Sequence, residues 1–180
     1  MSTPESGFPP AAPGFADTWQ RVVTDPRGFY AGMPLAGGLG EPLTFVAIVL
    51  GVDGVGHLLT GWGVLGSLGL FAGGVVRLFV LAAVLTLVAQ HLFDGPAGFE
   101  PTFRAVAYAS APAVLFWLPV VGVLAMLYAC FLLIRGIERV QSFDATRAVL
   151  TLLIGVMVLG ALTAVVLGHH HHRHHWVRAL

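Results

Sequence analysis

Lysine is absent from this 180-residue chain, and cysteine occurs once, at Cys130. A lone cysteine excludes an intramolecular disulfide and a cysteine-built metal cluster. Inside its apolar run Cys130 reads as a small buried or lipid-facing residue. Charge is equally scarce, at 10% of residues, where a soluble domain carries roughly a quarter. Nine arginines balance nine acids, so no surplus of positive charge points to a nucleic-acid partner. Catalytic signatures are missing too: there is no GxSxG, HExxH, GxxxxGK or CxxC, and no enzyme is expected. Residues 1–15 carry no basic n-region, so the first internal span is expected to serve as the insertion signal.

What the chain does have is hydrophobicity. Apolar residues make up 57% of it, with a mean hydropathy of +0.85. They fall in runs near or above 18 residues, the length that spans ~30 Å of hydrocarbon. The expected class is an all-α polytopic integral membrane protein of the cell membrane. Its expected partners are membrane lipids, with a homo-oligomer or other membrane proteins as further possibilities.

Residues 1–15, with four prolines, read as a disordered tail. Residues 16–42 read as an interfacial amphipathic segment. Asp17 is expected as N-cap of a short helix with Trp19, Val22 and Val23 on one face. Pro26 is expected to stop it, and Phe29 and Tyr30 to sit at the headgroup boundary. The membrane domain, 43–167, is expected to hold spans at about 43–59, 70–92, 102–118, 121–136 and 148–167. A Gly-rich connection from Thr60 to Gly69 separates the first two. A His-rich tail, 168–180, follows.

Between Arg104 and Arg135 lie 30 uncharged residues, about 45 Å as one helix and short for two full spans. Arginine placement favours two. As a hairpin broken at Pro119–Gly122, this region leaves Arg21, Arg27, Arg104, Arg135, Arg139 and Arg147 on one side. Both opposite loops then lack arginine. The positive-inside rule thus predicts five crossings, with the N-terminus cytoplasmic and the C-terminus external.

Several residue blocks carry a family resemblance. Val22-Val23-Thr24-Asp25-Pro26 and Phe29-Tyr30 precede Glu41-Pro42-Leu43. The run Phe93 to Phe99 leads into Thr102-Phe103-Arg104-Ala105-Val106-Ala107-Tyr108-Ala109-Ser110-Ala111-Pro112. Arg135-Gly136-Ile137 and Asp144 to Ala148 close the series. This pattern resembles the bacterial branch of the Yip family, five-span proteins whose eukaryotic members interact with Rab GTPases. The resemblance covers about residues 19–167 and implies a non-enzymatic membrane adaptor or organiser. The His-rich tail departs from the family pattern.

Three groups of residues could carry chemistry. Asp53 and His57 lie i, i+4 in the first span, and Arg77 lies in the second. A charged group there costs roughly 2.5–3.5 kcal/mol, so it needs a partner. Either the group satisfies itself and pins helix packing, or it forms the path of a small-ion or metal transporter. Asp94, Glu100, Arg104, Arg135, Glu138 and Arg139 form a candidate cytoplasmic loop cluster, with Glu100 and Arg104 an i, i+4 pair. In the tail, His169, His170, His171, His172, His174 and His175 are candidate ligands for zinc, nickel or copper, without the fixed geometry of a defined site. No other cofactor is expected. Gly69-xxx-Gly73 is a weak helix-contact motif. Ala105, Ala109 and Ala113 offer a small-residue face for packing within or between subunits.

Overall fold

A computed structural model describes the backbone of residues 14–177 and the side chains of residues 14–164. The proline-rich stretch 1–13 and the expected metal ligands His169–His172, His174 and His175 lie outside the described side chains. Seven α-helices are present among the described residues, and no strand: α1 (Phe15–Thr24), α2 (Pro26–Gly32), α3 (Gly40–Leu59), α4 (Gly63–Phe93), α5 (Phe99–Ala109), α6 (Pro119–Gln141) and α7 (Ala145–Val177). A 3-10 turn, Ala111–Leu115, links α5 to α6. Among the described residues, four helical stretches are long and apolar enough to cross a membrane: α3, α4, α6 and Ala145–Ala164 of α7.

The expected span over 102–118 is divided. Its α-helical part, α5, has 11 residues, about 16 Å. Pro112 has no N–H to donate, and in a continued helix its ring would clash with the carbonyl of Tyr108. The chain tightens instead. Ser110 N donates to Ala107 O at 3.2 Å and Ala113 N to Ser110 O at 2.8 Å, the i→i+3 pattern of a 3-10 turn. The indole of Trp19 donates to Ala111 O at 2.9 Å and satisfies a carbonyl at this break. The hairpin turn also comes earlier than expected, at Phe116–Leu118. Pro119 opens α6 at its first helical position, where a missing N–H costs nothing. Gly122 lies inside α6, and a Cβ there would meet the Phe116 carbonyl oxygen at 2.7 Å.

Other boundaries differ for local reasons. Helix α1 starts at Phe15 with Gly14 as N-cap, and Asp17 sits in its first turn instead of capping it. Pro26 begins α2 and does not merely end α1; Asp25 Oδ1 accepts from Gly28 N at 3.0 Å and caps it. The first two spans are joined only by Thr60–Trp62, because residues 63–69 are already helical in α4. Gly69 and Gly73 face open space; the close contact is made by Gly74, beneath Leu50 of α3.

Residues Thr102 to Ala113 are all buried. Ala105, Ala109 and Ala113 therefore pack within the subunit. Small side chains let the neighbours approach: a Cβ on Gly136 of α6 would lie 2.9 Å from Ala105 Cβ and 3.1 Å from a Tyr30 ring carbon. Tyr30 and Phe29, expected at the headgroup boundary, turn toward this core: Tyr30 is 2% exposed, and half-buried Phe29 packs edge-on against Tyr108. Helix α1 follows its amphipathic pattern, with Val22 buried and Asp17, Gln20 and Arg21 exposed. Tyr128 of α6 donates to Val23 O at 2.6 Å.

At the far end of the hairpin the Trp117 indole lies against Gly56 of α3, where a Cβ would fall within the ring. Gly56→Ala should lower stability by about 1–3 kcal/mol, the cost of overpacking a filled contact. A drop in apparent melting temperature in detergent checks this, and an unchanged value would show that Trp117 moves away freely.

Candidate functional site

The most buried charge among the described residues is Arg104, whose side chain is 1% exposed. Helix α5 projects it toward the loop between α2 and α3. There its Nη2 donates to Gly38 O at 2.7 Å. Glu100, one turn earlier, accepts from Gly38 N at 2.7 Å and places Oε1 3.7 Å from Arg104 Nε. Glu41, in the first turn of α3, lies 4.0 Å from Nη1. The loop can take this path because Gly37 and Gly38 adopt φ of +131° and +82°, values that side chains disfavour. A Cβ on Gly37 would also crowd Nη2 at 3.0 Å. Two glycines thus hold backbone against the guanidinium, and Nε and Nη1 find no hydrogen bond among the described residues. The i, i+4 spacing pointed to Glu100. It could not point to Glu41 or Gly38, more than 60 positions away; the Gly37-Gly38 doublet was the only local trace of them.

The remaining members of the expected loop cluster separate. Arg135 pairs with Glu138 at 2.6 Å and stands over the Phe131 ring. Arg139 donates to Ala31 O at 3.5 Å. Together with Arg27, Tyr30 and Ala31 they line a pocket of about 500 Å³. Asp94 joins neither group: it is the exposed left-handed C-cap of α4 and makes no ion pair among the described residues. Its loop is held by Gln141, which sequence reasoning missed. Gln141 is 2% exposed; its Oε1 accepts from Ala97 N at 3.1 Å, and its Nε2 donates to Thr102 Oγ1 at 3.2 Å. A polar residue at the last turn of an apolar helix gives no sequence signal of such a role.

Within the membrane-spanning helices, His57 Nδ1 lies 3.4 Å from Asp53 Oδ1 and 3.0 Å from Asp53 O. The Trp62 ring packs edge-on to the imidazole. Asp53 and Arg77 both line a cavity of about 240 Å³ whose other walls are mostly Leu, Val and Ala of α3–α7 and the 3-10 turn, with Ser110 the one further hydroxyl. They form no ion pair within 4 Å among the described residues, and Arg77 is exposed. Asp53 Oδ1 makes no hydrogen bond there. No cluster of three or more His, Cys, Asp or Glu suited to a metal occurs among the described residues.

Loss of the Arg104 clamp should cost about 1.5–3 kcal/mol, the range for hydrogen bonds involving a charged group. Arg104→Leu is expected to release the 33–39 loop to limited proteolysis, and Arg104→Lys to restore it only in part, since lysine lacks the planar fork. Equal protease resistance in all three proteins would show that the guanidinium does not hold the loop.

Tyr30, in α2 outside the spanning segments, donates to Ala105 O at 3.4 Å. Burial holds its phenol far above the ordinary value of 10.0, with Tyr128 and Tyr108 adding to the shift. Above that value the unfolded chain loses the proton while the folded chain keeps it. The unfolded state then binds fewer protons, so stability falls as pH rises past about 10. Tyr30→Phe should flatten that alkaline loss in a pH series of melting temperatures; an identical slope would assign it to other groups.

No curated protein and no solved structure matches the chain. A family model does: that of the Yip1 domain, over residues 13–167. The match takes in every described helix up to the His-rich end, including the Arg104 clamp and the α5–α6 hairpin. This all-α, multi-pass membrane protein therefore belongs to the Yip1 domain family.

Proposed function

We propose that the chain is a five-crossing protein, with its N-terminus cytoplasmic and its C-terminus external, that acts without catalysis as an adaptor or membrane organiser. It would do so through its cytoplasmic loops and lateral helix contacts. The observation that carries this reading is the Arg104 clamp. The buried guanidinium is committed to shaping a two-glycine loop, while the neighbouring Glu41 side chain stays 71% exposed. A preformed surface with accessible carboxylates suits contact with another protein better than it suits turnover.

The fifth crossing draws support from two contacts. Arg104 lies beside Glu41 at the start of α3, and Trp117 lies beside Gly56 near its end. Residues 104–117 thus run alongside a membrane-spanning helix for most of its length. Arg104 and Arg139 also lie at the same end, Arg104 against the α2–α3 connection and Arg139 against the last turn of α2, as the arginine distribution requires.

A second reading is a small-ion or metal transporter, favoured by the cavity that Asp53 and Arg77 share. His57 would tune Asp53, and the tail histidines would gather zinc, nickel or copper outside.

Reconstitution separates the two. In phosphatidylethanolamine–phosphatidylglycerol vesicles, flux of protons and of zinc, nickel or copper should match that of protein-free vesicles and be unchanged by Asp53→Asn. Flux abolished by Asp53→Asn would overturn the adaptor reading and establish the second. In intact cells, with Cys130→Ala as background, Ala179→Cys should react with an impermeant maleimide and Ser2→Cys should not. Labelling of both, or of neither, would overturn the five-crossing topology, and labelling of Ser2→Cys alone would overturn its orientation.

A further inference from the structure

Arg27, Arg135 and Arg139 converge on the pocket of about 500 Å³ at the end of α6, which they share with Tyr30, Ala31 and Glu138. Glu138 is its one carboxylate and is already engaged by Arg135 at 2.6 Å. Two positive charges are left uncompensated within the pocket. Their local partners are poor: Arg139 reaches Ala31 O only at 3.5 Å, the outer limit of a hydrogen bond, and Arg135 Nε is buried without a partner among the described residues. Guanidinium groups gathered in a concavity repel one another unless an anion joins them, and their forked donors match phosphate oxygens best.

The same helix indicates where the phosphate comes from. Arg135 stands 5.7 Å over the Phe131 ring. Phe131 begins an exposed apolar stripe that continues at helical spacing through Leu127, Leu124 and Val120, which are 42%, 59%, 64% and 76% exposed in that order. This stripe lies on a membrane-spanning helix, so it meets hydrocarbon. A free phosphate ion would use the arginines and ignore the stripe. A phospholipid uses both, with its phosphate in the pocket and an acyl chain along α6.

We propose that this pocket binds the headgroup of an anionic phospholipid, and that the two surplus charges select it over a zwitterionic one. The site stands whether the protein is an adaptor or a transporter, and whichever way it crosses the membrane.

Native mass spectrometry of the delipidated full chain in detergent tests the site, using phosphatidylglycerol and phosphatidylcholine with identical acyl chains. An arginine near an anionic lipid contributes about a fivefold gain in affinity. One phosphatidylglycerol per chain should therefore bind about 5–25-fold more tightly than phosphatidylcholine. Arg27→Gln with Arg139→Gln should erase that preference, while Arg147→Gln, at an exposed arginine elsewhere, should leave it intact. Circular dichroism verifies folding; should the double variant misfold, each single variant is expected to lose about fivefold. Equal binding of the two lipids, or full preference in a folded double variant, overturns the proposal. Displacement of the bound lipid by inorganic phosphate at low millimolar concentration overturns the lipid assignment in favour of a free anion.

Discussion

Residues Thr102 to Ala113 have no face left for lipid or water, and most of the remaining chain is arranged to cover them. Helix α5 is too short to be one of the four apolar spanning helices, yet α3, α4 and α6 all pack against it. Such a helix needs small residues where backbones close in, which Ala105 and Gly136 supply. It also needs a partner for any polar group it carries inward. Arg104 is that group. In the interior an unpaired guanidinium would cost more than most single contacts return, so the loop bearing Gly37 and Gly38 must come to it. The path of the α2–α3 connection follows from one buried charge.

The two interfacial helices have a matching explanation. At Pro112 the α-helical hydrogen-bond pattern of α5 gives way to a 3-10 turn, and carbonyls freed inside an apolar bundle need donors. Helix α1 brings Trp19 to Ala111 O, while its own Val23 carbonyl accepts from Tyr128. Helix α2 then sets Tyr30 beside the contact of Ala105 with Gly136. The amphipathic segment therefore serves as part of the core, and its polar residues are what remain on the outer side.

How much of this was legible in the sequence follows the range of each signal. Hydrophobic run length and arginine placement revealed the membrane class and the hairpin, because both are properties of contiguous segments. The Glu100–Arg104 and Asp53–His57 pairs were legible for the same reason, being one helical turn apart. What escaped depended on contacts distant in sequence. The burial of Tyr30 is one such feature: its partners Ala105 and Gly136 lie 75 or more positions away. The six-residue loop cluster looked like one surface because its members were expected on one side of the membrane. In three dimensions the α2–α3 connection claims Arg104, α2 claims Arg139, and Gln141 anchors the loop that carries Asp94. Helix boundaries near glycine escaped too, since the apolar surroundings of residues 63–69 favour helix more than their composition suggests.

Polarity within the spans is more economical than its sequence positions imply. Asp53 lies one turn from His57, and each is less than one-fifth exposed, so the imidazole at 3.4 Å is the polar neighbour that stands in for part of the water the carboxyl has lost. Arg77 keeps its length free: it borders the same cavity yet remains exposed, consistent with an arginine whose head extends away from an apolar wall. An ion path would require polar lining on several helices, as charged groups inside membranes cluster along a route. Here the charged walls come from α3 and α4 alone; Ser110 adds one hydroxyl at the end of α5, and α6 and α7 contribute apolar side chains and Cys130. At the other end of the bundle, charged groups from α2, α3, α5 and α6 face one another across loops. The dense polar organisation of this protein lies where its helices leave the membrane, and that distribution argues for recognition at the surface over passage through the middle.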